Sequence, residues 1–188
     1  MHAELEAHQL PDLSLPAGDL WVFGYGSVMW RPGFAHRESR PARLFGYHRA
    51  LCVWSWVHRG TRQAPGLVLG LDAGGSCIGH AFRVAAEDKE AVADYLYRRE
   101  LVTPAYIAML HPVYIGSRRL TALAFKVDRQ HDQYAGKLSA AAAAAVVRGA
   151  SGVSGANPDY VASTVQHLDE LGIPDSPLHE VQAALTEI

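Results

Sequence analysis

Residues 21–27 read Trp21-Val22-Phe23-Gly24-Tyr25-Gly26-Ser27, an apolar run that ends abruptly in two glycines and two hydroxyls. Leu20 to Phe23 predict a buried strand and Gly24 to Ser27 a loop at its end. Glycine accepts backbone angles that other residues avoid and lets a ligand approach the main chain, so successive N–H groups after Phe23 suit an anion. A tight turn that merely closes a core strand fits the same residues, and the loop alone does not separate the two readings.

The segments that follow are also strand-like. Arg31, Pro32 and Gly33 mark a turn, and Ala42 to Trp56, Gly66 to Leu71 and Cys77 to Val84 are rich in branched and aromatic residues. Gly74, Gly75 and Ser76 predict a hairpin turn between the last two. From Glu87 to Glu100 the period becomes helical, with Val92 and Leu96 four apart and Ala91 and Tyr95 beside them. Ile107 to Ile115 and Leu120 to Val127 predict two further strands around Gly116 and Ser117, and Asp128 to Gly136 a surface loop. Helices are expected over Leu138 to Arg148, stopped by Gly149, over Tyr160 to Leu171, stopped by Gly172, and over Leu178 to Thr186. Strands before residue 128 and helices after it predict an α+β domain, because the regular alternation of a Rossmann sheet is missing. Met1 to Gly18 are expected to form a mobile leader, and residues 19–188 a single domain.

Composition narrows the function classes. The chain has 188 residues, 49% of them hydrophobic, enough for a buried core without staples. Seventeen basic and nineteen acidic residues give a net charge of −2 and no global attraction to nucleic acid or anionic membrane. The longest apolar segment, Ala140 to Val147, falls short of the roughly 18 to 20 residues that span a bilayer. The first residues lack the basic start and apolar core of a secretory signal, so a cytoplasmic location is expected. Cys52 and Cys77 stand in apolar surroundings and read as small buried hydrophobes.

Several catalytic signatures are missing: there is no GxxxxGKS/T phosphate loop, no GxSxG elbow, no HExxH pair and no CxxC pair. The ten histidines are scattered, so no metal site is expected. His58, in His58-Arg59-Gly60-Thr61, fits either a pocket wall or a solvated loop. Ser27 as a nucleophile needs a base that the sequence does not assign, which favours a binding role. Glu100 stands out among the acids. It lies one turn beyond Leu96 and two beyond Val92, at the edge of the inward face, whereas Glu87 and Glu90 fall on the other side. Burial there would raise its pKa toward neutrality and suit it to proton transfer, with Arg98 and Arg99 opposing the shift. A solvated, ion-paired glutamate fits the same position, since Arg99 falls nearer the centre of the face.

Ordered motifs carry a resemblance over nearly the whole chain. They are the Phe23 to Ser27 loop with Trp30, the Gly46-Tyr47 pair, His58-Arg59-Gly60 followed by Pro65-Gly66, and Gly79 with the strand ending at Arg83-Val84. Tyr95 to Glu100 follow, and then Ser151, Gly152, Gly155, Asn157 and Tyr160. In these the chain resembles the ChaC-type γ-glutamylcyclotransferases, which act on glutathione. The resemblance implies a mixed, partly closed β-barrel core with flanking helices. It implies that Glu100 is the general base and acid, that Tyr25, Gly26, Ser27 and Val28 form the γ-glutamyl-binding loop, and that Tyr160 lines the site. Glutathione is the implied substrate, with no cofactor, no metal, no nucleic-acid partner and no membrane. A cyclotransferase for other γ-glutamyl amines or peptides, or a non-catalytic binding module on the same fold, are the alternatives. The chain departs from many members at Leu101 to Tyr106, where they carry a shorter glycine-containing turn, and at Val28, where leucine is frequent; the part played by Tyr106 is left open.

Overall fold

Two long strands make most of the sheet. In the computed structural model, which describes residue 11 and residues 13–186, β2 (Glu38–Ser55) pairs antiparallel with β3 (Gly66–Val84) over almost its whole length. β1 (Leu20–Gly24), β4 (Tyr106–Ile115) and β5 (Arg118–Val127) complete a closed barrel in the order β1-β3-β2-β4-β5. The α+β class read from the order of elements and the barrel with flanking helices that the resemblance implied are both present, and the barrel is closed, not partly closed. Its ring closes through a short parallel pairing of β1 with β5, Trp21 opposite Ala122 and Val22 opposite Leu123, which removes the free edges that would otherwise be open to pairing.

The expected hairpin at Gly74, Gly75 and Ser76 does not form. Gly66 to Leu71 and Cys77 to Val84 belong to one strand, because β2 partners both halves and neither needs to fold back on the other. The glycines serve a bend instead. Gly74 and Gly75 have φ of 103° and 70° and stand opposite the single Gly46, whose φ is 88°, where the pairing jumps from Phe45 and Ser76 to Tyr47 and Ala73. A bulge of this kind turns the ladder without ending it, and only glycine holds those angles without strain.

β1 is buried on both faces, which explains its unbroken apolar run. Trp21 and Phe23 join Leu44, Leu71, Val113 and Ala124 in a cluster drawn from all five strands, the barrel interior. Leu20 and Val22 face the other way, onto Val92 and Leu96 of α1 (Lys89–Glu100). The expected spacing of that helix therefore holds, with its start two residues later. The remaining helices, α2 (Ala140–Gly149), α3 (Asn157–Glu170) and α4 (Ser176–Thr186), pack together on Leu51, Leu67 and Leu69 of the two long strands. α2 starts at a Ser139 cap, whose side chain accepts from the Ala142 N–H. α3 starts three residues earlier than expected. Asn157 is fully buried and holds Leu67 by both main-chain groups, its Oδ1 accepting from the N–H and its Nδ2 donating to the carbonyl. Ahead of it lies a minimal hairpin, β6 (Ser151–Gly152) with β7 (Gly155–Ala156), too short to leave a pattern in the sequence.

Of the expected leader, residues 1–10 and 12 lie outside the described residues. Leu13 and Leu15 pack on the cluster beneath α1, and the Lys89 ammonium donates to the Pro16 carbonyl at 2.8 Å. No helix among the described residues is long and apolar enough to cross a membrane.

Candidate active site

α1 ends at Glu100, and the chain beyond it determines what the carboxylate meets. The Leu101 N–H caps the helix by donating to Tyr97 O at 2.9 Å, Ala105 is fully buried, and β4 then brings Tyr106 in beside the helix end. The Leu101 to Tyr106 stretch therefore places an aromatic side chain at the wall of a cleft of about 1180 Å³. The loop after β1, the end of β2, the end of α1 and the first turn of α3 line that cleft as well, and Glu100 and Tyr160 both face it.

Three tyrosines share the cleft with the carboxylate. Burial, together with the negative charge of Glu100, pushes the Tyr25 and Tyr106 hydroxyls well above the ordinary phenol range and Tyr160 up to about 12. All three therefore stay protonated at neutral pH. The main chain of Leu69 holds two of them, Tyr106 Oη donating to its carbonyl at 2.7 Å and Tyr160 Oη accepting from its N–H at 3.1 Å. Arg59 lies over the Tyr160 ring, 5.3 Å from its centroid. Glu100 is itself raised from the usual carboxylate value, first by burial, with the charge and hydrogen bond of Arg99 pulling it back.

The loop of residues 25–28 reaches the same cleft. Its return is tight: Met29 N–H donates to Gly26 O at 2.9 Å and Arg31 N–H to Ser27 O at 2.8 Å. Neither Gly24 nor Gly26 has a positive φ, so the loop does not need glycine for its angles. Space makes the demand, and it falls on Gly24, where a Cβ would lie 3.1 Å from the Val28 side chain; at Gly26 a Cβ would meet only Leu69 Cδ1 at an ordinary 3.6 Å. Val28 turns its side chain into the core beneath α1, leaving its main chain for any ligand. Among the described residues the N–H groups of Gly26, Ser27 and Val28 donate to no protein acceptor. Three main-chain donors in one loop can hold a carboxylate.

Two arginines that the motifs did not single out as site residues fasten this loop. Arg49 is buried on β2 and donates to Tyr25 O at 2.6 Å, to Ile78 O at 2.7 Å and to Asp175 Oδ2 at 2.8 Å, just ahead of α4. The signal that could have found it is an arginine directly before the apolar stretch Ala50 to Trp54, although Arg43, exposed on the same strand, carries the same charge. Arg99 bridges the loop to the carboxylate, its Nη2 donating to Ser27 Oγ at 3.0 Å and its Nε standing 3.0 Å from Glu100 Oε1. Among the described residues the Ser27 hydroxyl hydrogen-bonds to Arg99 and to no imidazole.

His58 stands at the rim of the cleft, and the two cysteines in the core. His58 pairs through Nδ1 with Ser154 Oγ at 2.9 Å and joins the cleft's outer loop to the β6–β7 hairpin. Cys52 and Cys77 are free and buried, their thiols pushed up to about 12 and about 11 by desolvation. No cluster of three His, Cys, Asp or Glu suited to a metal is found among the described residues.

A family model described as ChaC-like protein matches residues 20–188. Over 172 residues the chain is 34% identical to the glutathione-specific γ-glutamylcyclotransferase of Escherichia coli (strain K12), covering 91% of this chain and 74% of that protein. It is also 34% identical over 161 residues to glutathione-specific γ-glutamylcyclotransferase 1 of Homo sapiens, covering 80% of this chain and 72% of the human one. The crystal structure of a γ-glutamyl cyclotransferase specific to glutathione from yeast superposes with a TM-score of 0.79 at 21% identity, over 91% of this chain and 99% of the yeast chain.

Proposed function

Because this chain belongs to the ChaC-like protein family, we propose that it is a γ-glutamylcyclotransferase that converts glutathione to 5-oxoproline and cysteinylglycine. The observation that carries the mechanism is the meeting, in one cleft, of a partly buried carboxylate with raised pKa and a loop of unpaired main-chain donors.

The chemistry follows from the substrate's own groups. The α-amine of the γ-glutamyl unit attacks its γ-carbonyl carbon; a five-membered lactam C–N bond forms, the amide C–N bond to cysteine breaks, and no water is consumed. Since nucleophile and target share one chain, the protein need only fold that chain into attack geometry, a contribution of several kcal/mol in well-oriented systems. The amine enters as an ammonium. Glu100, as carboxylate, takes one of its protons and returns it to the departing peptide nitrogen; the second proton shed by the ring nitrogen leaves with the released amine, which departs as an ammonium. The N–H groups of Gly26, Ser27 and Val28 hold the substrate α-carboxylate. The Tyr25 hydroxyl donates to no protein acceptor among the described residues, which leaves it available to the oxyanion as the carbonyl becomes tetrahedral.

The test is incubation of the purified protein with glutathione and mass detection of both products in equal amounts. Free glutamate in place of 5-oxoproline, or no consumption of glutathione, overturns the proposal. The loop assignment has its own test. Gly26 lines the cleft with room for a Cβ, so Gly26→Leu should fold with a wild-type melting curve and lose about 10²-fold in kcat/KM through misplaced substrate; unchanged efficiency removes the loop from binding.

A further inference from the structure

Resting on that reading, we infer that Arg99 is a positioning residue for the reaction: its single guanidinium holds the Glu100 carboxylate by one oxygen and the substrate loop by the Ser27 hydroxyl, so that base and binding loop are set relative to each other. The contacts are specific to a guanidinium. Nη1 shares its two N–H bonds among the carbonyls of Arg31 at 2.7 Å and Pro32 at 2.9 Å and Tyr95 Oη at 3.2 Å, Nη2 donates to Ser27 Oγ, and Nε pairs with Glu100 Oε1. Five acceptors on one rigid fork define a geometry that the ammonium of lysine cannot reproduce.

An arginine in the last turn of a helix often serves only the helix's own carbonyls. This one does not. Its main-chain partners belong to the turn after the β1 loop, 67 and 68 residues away in sequence. Its side chain is 21% exposed and that of Glu100 25%, so the pair is shielded enough to orient both groups. Oε1 is occupied, and Oε2, with no protein partner among the described residues, is the oxygen left to accept a proton. The groups that face Glu100 from the other elements are the phenols Tyr25 after β1, Tyr106 on β4 and Tyr160 on α3, all neutral; Arg99 is the cation that acts on it. Arg99 therefore has two separable effects, favouring the charged form of a partly buried carboxylate and keeping the loop in register with it.

Steady-state rates against pH for Arg99→Met, Arg99→Lys and Ser27→Ala separate the two. In the wild type the acidic limb of kcat/KM marks protonation of Glu100 and lies above the ordinary glutamate range. Arg99→Met should move that limb upward by about one pH unit, since the lost cation no longer favours the charged form, and raise KM about tenfold as the loop is released. Arg99→Lys should restore the limb and not KM. Ser27→Ala, with the ion pair intact, should raise KM and leave the limb in place. An unmoved limb in folded Arg99→Met overturns the proposal; should that variant fail to fold, a wild-type KM in Arg99→Lys does so. The control is Glu100→Gln. If it retains activity, the assignment of Glu100 and the reading built on it fail; if it is inactive while the arginine variants match wild type, only the role of Arg99 falls.

Discussion

Glu100→Gln is expected to lower kcat for 5-oxoproline release by about 10²–10⁴-fold, the usual contribution of a positioned acid and base. The replacement keeps size and shape and removes the capacity to accept a proton, so the ammonium of bound glutathione has no base. The fold should not suffer. Desolvation penalises the charged form of the wild-type carboxylate and Arg99 offsets only part of that, so an amide at the same place avoids the cost while its oxygen still accepts from Arg99. Glutathione affinity should also be largely preserved, because the loop donors are untouched. Turnover, calorimetric binding and thermal melting on one preparation check all three. Near-normal turnover in a folded Glu100→Gln protein removes the residue from the mechanism.

The second large effect is on stability. Arg49→Met should cost about 3–5 kcal/mol, the loss found when one partner of a buried ion pair is deleted and the other is left uncompensated. The Arg49 and Asp175 side chains are 3% and 9% exposed, and the arginine also satisfies the Tyr25 and Ile78 carbonyls. Pairing the change with Asp175→Asn removes the stranded charge, so the double variant should recover part of the loss, a coupling that a double-mutant cycle in urea reads directly. A loss below about 1 kcal/mol in Arg49→Met would place the pair among ordinary surface contacts.

Legibility differed sharply between local and non-local features. The period of Val92 and Leu96 announced α1 and set Glu100 at the edge of its inward face, because helical spacing is a property of neighbouring residues. The unbroken run Leu20 to Phe23 announced a strand buried twice over. The Gly74-Gly75-Ser76 stretch misled for a related reason: it has the chemistry of a turn, and what makes it a bulge is the presence of β2 alongside both halves, which no local window contains. Gly24 and Gly26 looked equivalent in sequence, yet only Gly24 is crowded, by a side chain four residues on that returns over it. The site's wiring was least legible. Arg49 meets a carboxylate 126 residues away and Arg99 a hydroxyl 72 residues back, and such pairings depend on how the barrel closes and where the helices settle on it. Tyr106, whose part the motif departure left open, is held at the cleft wall by the carbonyl of Leu69, 37 residues back.

The central claim is that the substrate cleaves itself, amine on amide, with the protein moving protons and no water entering. Turnover of glutathione in water enriched in heavy oxygen tests this most directly. The account predicts 5-oxoproline and cysteinylglycine with no added label and no glutamate; labelled glutamate among the products would show that water, and not the substrate's own amine, attacks the γ-carbonyl.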